Sequence, residues 1–477
     1  MSAFLTIVKL TFRNGMRSHL FQLLLLVLLL CVVAIPATIS GDGTADGFIR
    51  VSLLYSLAAV STVLALSSVW LGCFVMSQDI ENYQLHMVVT KPVSRAKIWL
   101  AKWVGVNLIN LLLLVVSSLA IYGLILYNFN RQEFSQEERQ KMANEVMVGR
   151  RVFLPDRPDF SEESRKLVAR KLSDRQKQGI EVDTSPKAQE EMLSDARREV
   201  VSAYSEAKFN QRREFRFSNL PEKLDQPLYL RYRPYVGKVS SEKQRMTRVM
   251  LQAGVPRITG EAGKNASVFQ TGPRGYEVTF LSLSQFPEQV MSGEFHEKVL
   301  LPEWKLITPD NEVLIAYINC DESQTSHFLQ PSDGPMLLIR VTGFLENYLR
   351  AILVIAMELL ILSGLACAFG GFLTLPTAVF VVISYLLFGS FAVYMSGLSY
   401  ISGVADSIGQ GIARVLLWVV IPLQAFEVTG VVANGELIEF SLIGRLFLSY
   451  FVYRALPWFL FGIYMYWRRE LGLVIRK

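Results

Sequence analysis

Apolar residues in this chain come in long blocks. Leu20–Ile39, Val51–Met76 and Trp103–Tyr127 are each long enough to cross a hydrocarbon core, which takes about 20 helical residues. After them the sequence stays polar for more than two hundred residues, until Leu349. Leu349–Met395 is then almost unbroken apolar sequence, about two crossings long. Gly370, Gly371 and Pro376 interrupt it, which predicts a helical hairpin. A last span, Ile443–Trp467, runs into Arg468 and Arg469, an aromatic and basic end suited to a membrane interface. The first block follows Lys9, Arg13 and Arg17 but is longer than the core of a cleavable signal, so it is read as a retained helix. Residues 1–18 set Phe4, Ile7, Val8 and Leu10 against those cations, the pattern of an amphipathic helix on a membrane surface.

The polar insert has two textures. Residues 131–213 are rich in Glu, Arg, Lys and Gln and predict exposed helices, divided by Pro155, Pro158, Gly179 and Pro186. Residues 214–345 alternate in short runs: Phe215–Phe217, Leu228–Tyr235, Tyr276–Leu283, Lys298–Trp304, Val313–Ile318 and Met336–Val341. Turn residues separate them, which predicts a β-sandwich. The fold class is therefore an α-helical polytopic membrane protein carrying an α+β domain. Its expected parts are 1–128 (three spans), 129–345 (the insert) and 346–477 (three further spans).

Charge sets the topology. Lys9, Arg13 and Arg17, then Lys91, Arg95, Lys97 and Lys102, then Arg468, Arg469, Arg476 and Lys477 are all cytoplasmic by the positive-inside rule. Six crossings satisfy these three segments, with both termini cytoplasmic and 129–345 outside. The net charge of +6 belongs to these segments and is no sign of a nucleic-acid partner. Cys31, Cys73 and Cys367 lie in apolar spans, leaving Cys320 alone in the insert without an internal bridge. Asn265-Ala266-Ser267 matches a glycosylation triplet, a motif too common by chance to carry weight.

A seventh apolar patch, Ile412–Phe426, would leave the basic C-terminus outside if it crossed. It holds Arg414, Pro422 and Gln424, with Glu427 just beyond, between Gly-rich and acidic stretches. Segment 403–435 is accordingly expected to be a re-entrant helical pair bordering a pathway between helices. Glu358 and Arg454 fall at similar depth in spans four and six, where a lone charge costs at least about 2.5–3.5 kcal/mol. The expectation is that they pair with each other.

Between spans two and three, Ser77–Lys102 reads SQDIENYQLHMVVTKPVSRAKIWLAK. Glu81, Tyr83 and the apolar Leu85–Val89 precede Lys91 and the turn Pro92-Val93-Ser94-Arg95, followed by Lys97. Pro92 breaks the chain, and Ser94 is placed to cap the next helix. An acidic residue, a short apolar stretch and a Pro-X-Ser-Arg turn leading to Lys resemble the loop of type 2 ATP-binding-cassette (ABC) permease subunits. The surface helix, six spans and re-entrant pair are similar to that family as well. The resemblance implies a coupling helix seated in a separate ATPase, a second permease subunit as partner, and residence in a bacterial inner membrane. The large insert departs from the short loop of many relatives, so substrate is not implied.

No GxxxxGK[ST] phosphate loop occurs in the chain, so ATP and its Mg²⁺ belong to the partner ATPase and no cofactor is expected on this chain. HExxH, GxSxG and paired-Cys spacings are also absent, and His296 and His327 stand alone, which disfavours an enzyme or a metal site. The leading expectation is a permease subunit driving export or extraction, its outer domain meeting substrate or an envelope partner. The alternative is a membrane-anchored receptor or scaffold whose basic loop binds lipid headgroups.

Overall fold

The computed structural model describes residues 3–38, 45–81, 93–131, 135–178, 186–221, 226–237, 246–257, 270–271, 277–308, 311–331, 333–397 and 404–468. The glycosylation triplet at 265–267 lies outside them. The chain divides into two compact units, Met1–Gly149 with Thr342–Lys477, and Arg150–Val341.

The first unit is helical and membrane-embedded. Helices α1 (Ala3–Arg17), α2 (His19–Thr38), α3 (Ala45–Glu81), α4 (Arg95–Arg131) and the short polar α5 (Gln136–Glu145) precede the insert. Among the described residues five helices are long and apolar enough to cross a membrane: Gly47–Gln78, Arg95–Phe129, Phe344–Gly370, Leu375–Met395 and Phe440–Arg468. The pair Ala3–Arg17 and Phe21–Ala34, bent by 64°, makes a sixth if it is one span. Helix α1 buries Val8 and Thr11, and it packs on α4, where a Cβ at Gly105 would stand 2.7 Å from Thr11.

Two stretches of the insert continue the helical count, α6 (Phe160–Lys177) and α7 (Pro186–Ser205), before α8 (Phe344–Gly370) and α9 (Leu375–Gly397) form the expected hairpin. Helix α8 is rich in Leu, Ile and Ala and is the most enclosed, with 83% of its apolar window buried against 22% for α9. It is surrounded by α3, α4, α9 and the last helix. It ends at Gly370 and Gly371, and Pro376 takes the second position of α9, where its missing N–H costs nothing. The chain then forms α10 (Val404–Val419), a 3₁₀ turn at Leu423–Phe426, α11 (Thr429–Ala433), α12 (Phe440–Leu446), a π-helical stretch at Phe447–Ala455 and α13 (Leu456–Arg468). Gly364 and Gly462 let α8 and α13 touch: a Cβ on Gly462 would lie 2.4 Å from that of Ala368, and one on Gly364 would lie 2.2 Å from the Phe459 ring.

The second unit is a β domain with helical additions. Its strands are β1 (Val148–Phe153), β2 (Glu206–Ala207), β3 (Arg212–Phe217), β4 (Leu228–Tyr232), β5 (Tyr235–Val236), β6 (Met246–Arg257), β7 (Gln270–Thr271), β8 (Glu277–Ser282), β9 (Glu288–Met291), β10 (His296–Leu300), β11 (Val313–Asn319), β12 (His327–Phe328) and β13 (Met336–Gly343). One sheet runs β1-β13-β4-β10, a second β3-β11-β6-β8-β7 with β9 also on β6, and a third β2-β12-β5. Leu228, Leu230 and Leu337 of the first sheet share one buried core with Phe217, Leu251 and Ile315 of the second. Alternation decides which side chains enter it.

Several sequence expectations need correction. Segment 131–213 is not wholly helical: β1 lies inside it, and β2 and the start of β3 precede 214. The longest strand, β6, and the short β9 occupy sequence for which no strand was expected. Lys298–Trp304 is a strand only to Leu300, because Pro302 cannot donate to a ladder and opens a 3₁₀ turn instead.

Candidate functional site

The loop between α3 and α4 is bounded by two 37-residue helices, each much longer than one crossing. Of the expected coupling residues, Tyr83, Lys91 and Pro92 lie outside the described residues, and so does the side chain of Glu81, the last residue of α3. Ser94 immediately precedes α4 and its carbonyl accepts from Ile98 N–H at 3.2 Å. Lys97 is exposed, while Arg95 is half-buried and donates from Nη1 to the Trp467 carbonyl at 2.7 Å.

Deeper in, the same helix ends are fastened to the hairpin. Ser77 Oγ donates to the Gly370 carbonyl at 3.2 Å, and Trp99 Nε1 to the Cys367 carbonyl, also at 3.2 Å. Lys102, counted above among the cytoplasmic cations, is buried and donates from Nζ to the Val75 carbonyl at 3.0 Å. The Gly370 carbonyl is one that the end of α8 leaves open, whereas the Cys367 carbonyl also accepts from Gly371 N–H at 3.1 Å. The sequence marks Arg95 as an expected coupling residue and Lys102 as a cytoplasmic cation, and it does not show these ties: the acceptors of Arg95, Ser77 and Trp99 are backbone atoms 372, 293 and 268 positions away, and that of Lys102 lies 27 positions away on the preceding helix. Further along the bundle Asn107 Oδ1 accepts from Ser363 Oγ at 2.8 Å and Asn110 Nδ2 donates to Ser68 Oγ at 2.9 Å.

The expected ion pair does not form. Glu358 faces α3, where Ser61 Oγ donates to its Oε2 at 3.3 Å. Arg454 lies in the π-helical stretch, its Nη1 donating to the Val420 carbonyl at 3.1 Å and its guanidinium 4.7 Å from the centre of the Tyr450 ring. Similar depth along two helices did not bring them together: Glu358 is on the side of α8 that meets Ser61 of α3, while Arg454 is taken by a backbone carbonyl at the helix break.

The segment expected to be re-entrant is a broken helix. Helix α10 stops at Val419, Pro422 is buried just before the 3₁₀ turn, and α11 follows. Tyr385 of α9 holds the break: its hydroxyl donates to the Val419 carbonyl at 3.1 Å and accepts from Ile421 N–H at 3.2 Å. With Arg454 on Val420, the Val419 and Val420 carbonyls and the Ile421 N–H, which the broken ladder leaves open, have side-chain partners, the condition for irregular backbone away from water. Arg414 is exposed on α10 and Glu427 is exposed beyond the turn.

Two cavities adjoin the break. One, of 810 Å³, is bordered by Trp418, Ser449, Tyr453 and Arg454. The other, of 480 Å³, has Ser61, Glu358, Gln424 and Glu427 among its lining residues. Glu358 and Glu427, placed apart in the sequence reading, thus share one cavity, while Arg454 lines the other.

In the second unit Glu297 sits between two guanidiniums: Arg150 Nη1 is 2.8 Å from its Oε2 and Arg231 Nε 2.6 Å from its Oε1. Burial pushes this carboxyl up, but the charges and hydrogen bonds of Arg231 and Arg150 outweigh it and hold it below the usual carboxylate range. His327 is fully buried, its Nε2 2.7 Å from Thr247 Oγ1 and its Nδ1 2.7 Å from the Tyr317 hydroxyl. Among the described residues no three His, Cys, Asp or Glu side chains gather as a metal site would require. Compared with protein families, curated proteins and solved structures, the chain matches none.

Proposed function

We propose that this chain is the permease subunit of an ATP-driven transporter of the type 2 ABC kind, working with a separate ATPase and a second permease subunit in a bacterial inner membrane. The observation that carries the reading is the fastening of the helix ends around the α3–α4 loop. Arg95, Trp99 and Ser77 tie that loop's flanking helices to the last helix and to the end of α8. A displacement delivered between Glu81 and Arg95 is therefore passed to four helices together, which is what an ATPase seated on this loop needs. ATP and Mg²⁺ would stay on the ATPase, and this chain would supply the pathway for export or extraction of a substrate, with the Arg150–Val341 unit outside.

The test is co-purification from the native host in mild detergent, with ATP hydrolysis measured for the wild type and for Glu81→Arg. The expected result is a bound ATPase that is lost, along with its activity, in the variant. Recovery of the protein without an ATPase, under conditions that keep other such transporters intact, would favour a membrane-anchored receptor instead.

A further inference from the structure

The 480 Å³ cavity lies between α3, α8, α9 and the 3₁₀ turn at Leu423–Phe426, and its volume falls in the range of about 300–1,000 Å³ typical of small-molecule sites. Its lining is divided by chemistry. Leu66, Val69, Leu362, Ile383, Leu386 and Leu387 offer hydrocarbon, whereas Ser61, Glu358, Gln424, Glu427 and Thr429 offer oxygen acceptors and two carboxyl groups. No Lys or Arg is among the lining residues described.

Glu358 is the informative member. It is only 7% exposed, and its hydrogen-bond partner among the described residues is the Ser61 hydroxyl at 3.3 Å, with no ion pair. A carboxylate so placed lacks the cation that burial of a charge requires. The hydrocarbon wall is open to the surroundings, since Leu66 on α3 and Leu387 on α9 line the cavity and are 62% and 64% exposed. A ligand can enter from the apolar phase.

We propose that this cavity binds a single-chain amphiphile with a primary ammonium head, the chain lying along α3 and α9 and the ammonium completing the Glu358 and Glu427 pair. A primary ammonium donates three hydrogen bonds and accepts none, which matches a wall of acceptors. The same two carboxyl groups repel phosphate and carboxylate heads. The site does not depend on the permease reading, because binding needs no ATPase.

The experiment uses the full-length protein in phosphatidylcholine nanodiscs with octadecylamine carrying a mid-chain diazirine. Irradiation is expected to label peptides containing Leu66 and Leu387, and excess unlabelled octadecylamine to prevent it. Glu358→Gln is expected to weaken labelling about tenfold or more, the order set by losing a charge-assisted contact. Leu387→Trp, which adds bulk where the chain is placed and keeps both carboxyl groups, should weaken labelling by a similar factor and serves as the readout if Glu358→Gln fails to fold. Equal labelling by the matching fatty acid, undiminished labelling in Leu387→Trp, or absence of labelling in the wild type would each overturn the proposal. Displacement by phosphatidylethanolamine as effective as by octadecylamine would do the same, by assigning the site to a membrane phospholipid.

Discussion

Arg150, Arg231 and Glu297 of the β unit and Glu358 and Arg454 of the helical unit are charges at least half withdrawn from water, yet the two units treat them differently. In the β unit each cation meets the same anion at hydrogen-bond distance. In the helical unit Glu358 meets a hydroxyl and Arg454 a backbone carbonyl and a ring. The first arrangement is closed, with its partners built in. The second leaves electrostatic capacity unused beside two cavities, and unused capacity is what a binding or moving part requires.

This contrast is broken most severely by removing the shared anion. Glu297→Ala leaves two buried guanidiniums facing each other, and a cost of about 3–5 kcal/mol is expected. Thermal unfolding of the purified full chain, followed by proteolysis of the β unit, reads it. Glu358→Gln is expected not to lower stability in the same assay, because it removes a charge that has no cation. A loss comparable to that of Glu297→Ala would show that the two units are alike after all.

Acid sharpens the comparison. The Glu297 carboxyl is held below its ordinary value of 4.5, so folding favours its ionised form. The associated stability is complete above that value and is lost as the pH falls through the lower folded pKa. Protection of the β4 and β10 amides, taken as the ratio of intrinsic to observed hydrogen-exchange rate, should therefore fall on acidification below the ordinary value, and Glu297→Gln should flatten that limb of the profile.

Smaller effects are expected at the helix break. Arg454→Ala withdraws the charged donor from Val420 and should cost about 1.5–3 kcal/mol, with Tyr385→Phe nearer 0.5–1.5 kcal/mol. Modification of an Ile421→Cys reporter by a membrane-permeant thiol reagent should be faster in both. Unchanged rates would mean that other contacts hold the break.

Five of the expected spans were legible because a crossing demands a long apolar run, while the first apolar block qualifies only together with α1. The hairpin was legible from Gly370, Gly371 and Pro376. Strand β6 was not, since Met246–Arg257 does not alternate cleanly and contains Gly254 and Pro256. The glycine is there because a Cβ would stand 2.7 Å from Val278 and 3.0 Å from Leu314 on the flanking strands, a fact about neighbours rather than about period. Strand β1 was hidden by Arg150 and Arg151, which look like an exposed helical face until Glu297, 147 positions away, receives the first of them. The site residues divided in the same way. Glu358 and Arg454 were recognised as unusual by composition alone, but azimuth is not written in a one-dimensional pattern, and the partner assigned to each was wrong.

Arg95, Trp99 and Ser77 also limit how the bundle can be deformed. Three bonds between different helices at one end oppose independent sliding along their axes. The opposite end of α8 carries ties of its own, with the Tyr348 hydroxyl donating to the Ser118 carbonyl at 2.9 Å and Asn347 Nδ2 to the Glu436 carbonyl at 2.7 Å. With α8 fastened to its neighbours near both ends, a push on any one of these helices is shared by the others, so the cluster behaves as a single lever rather than as separate rods.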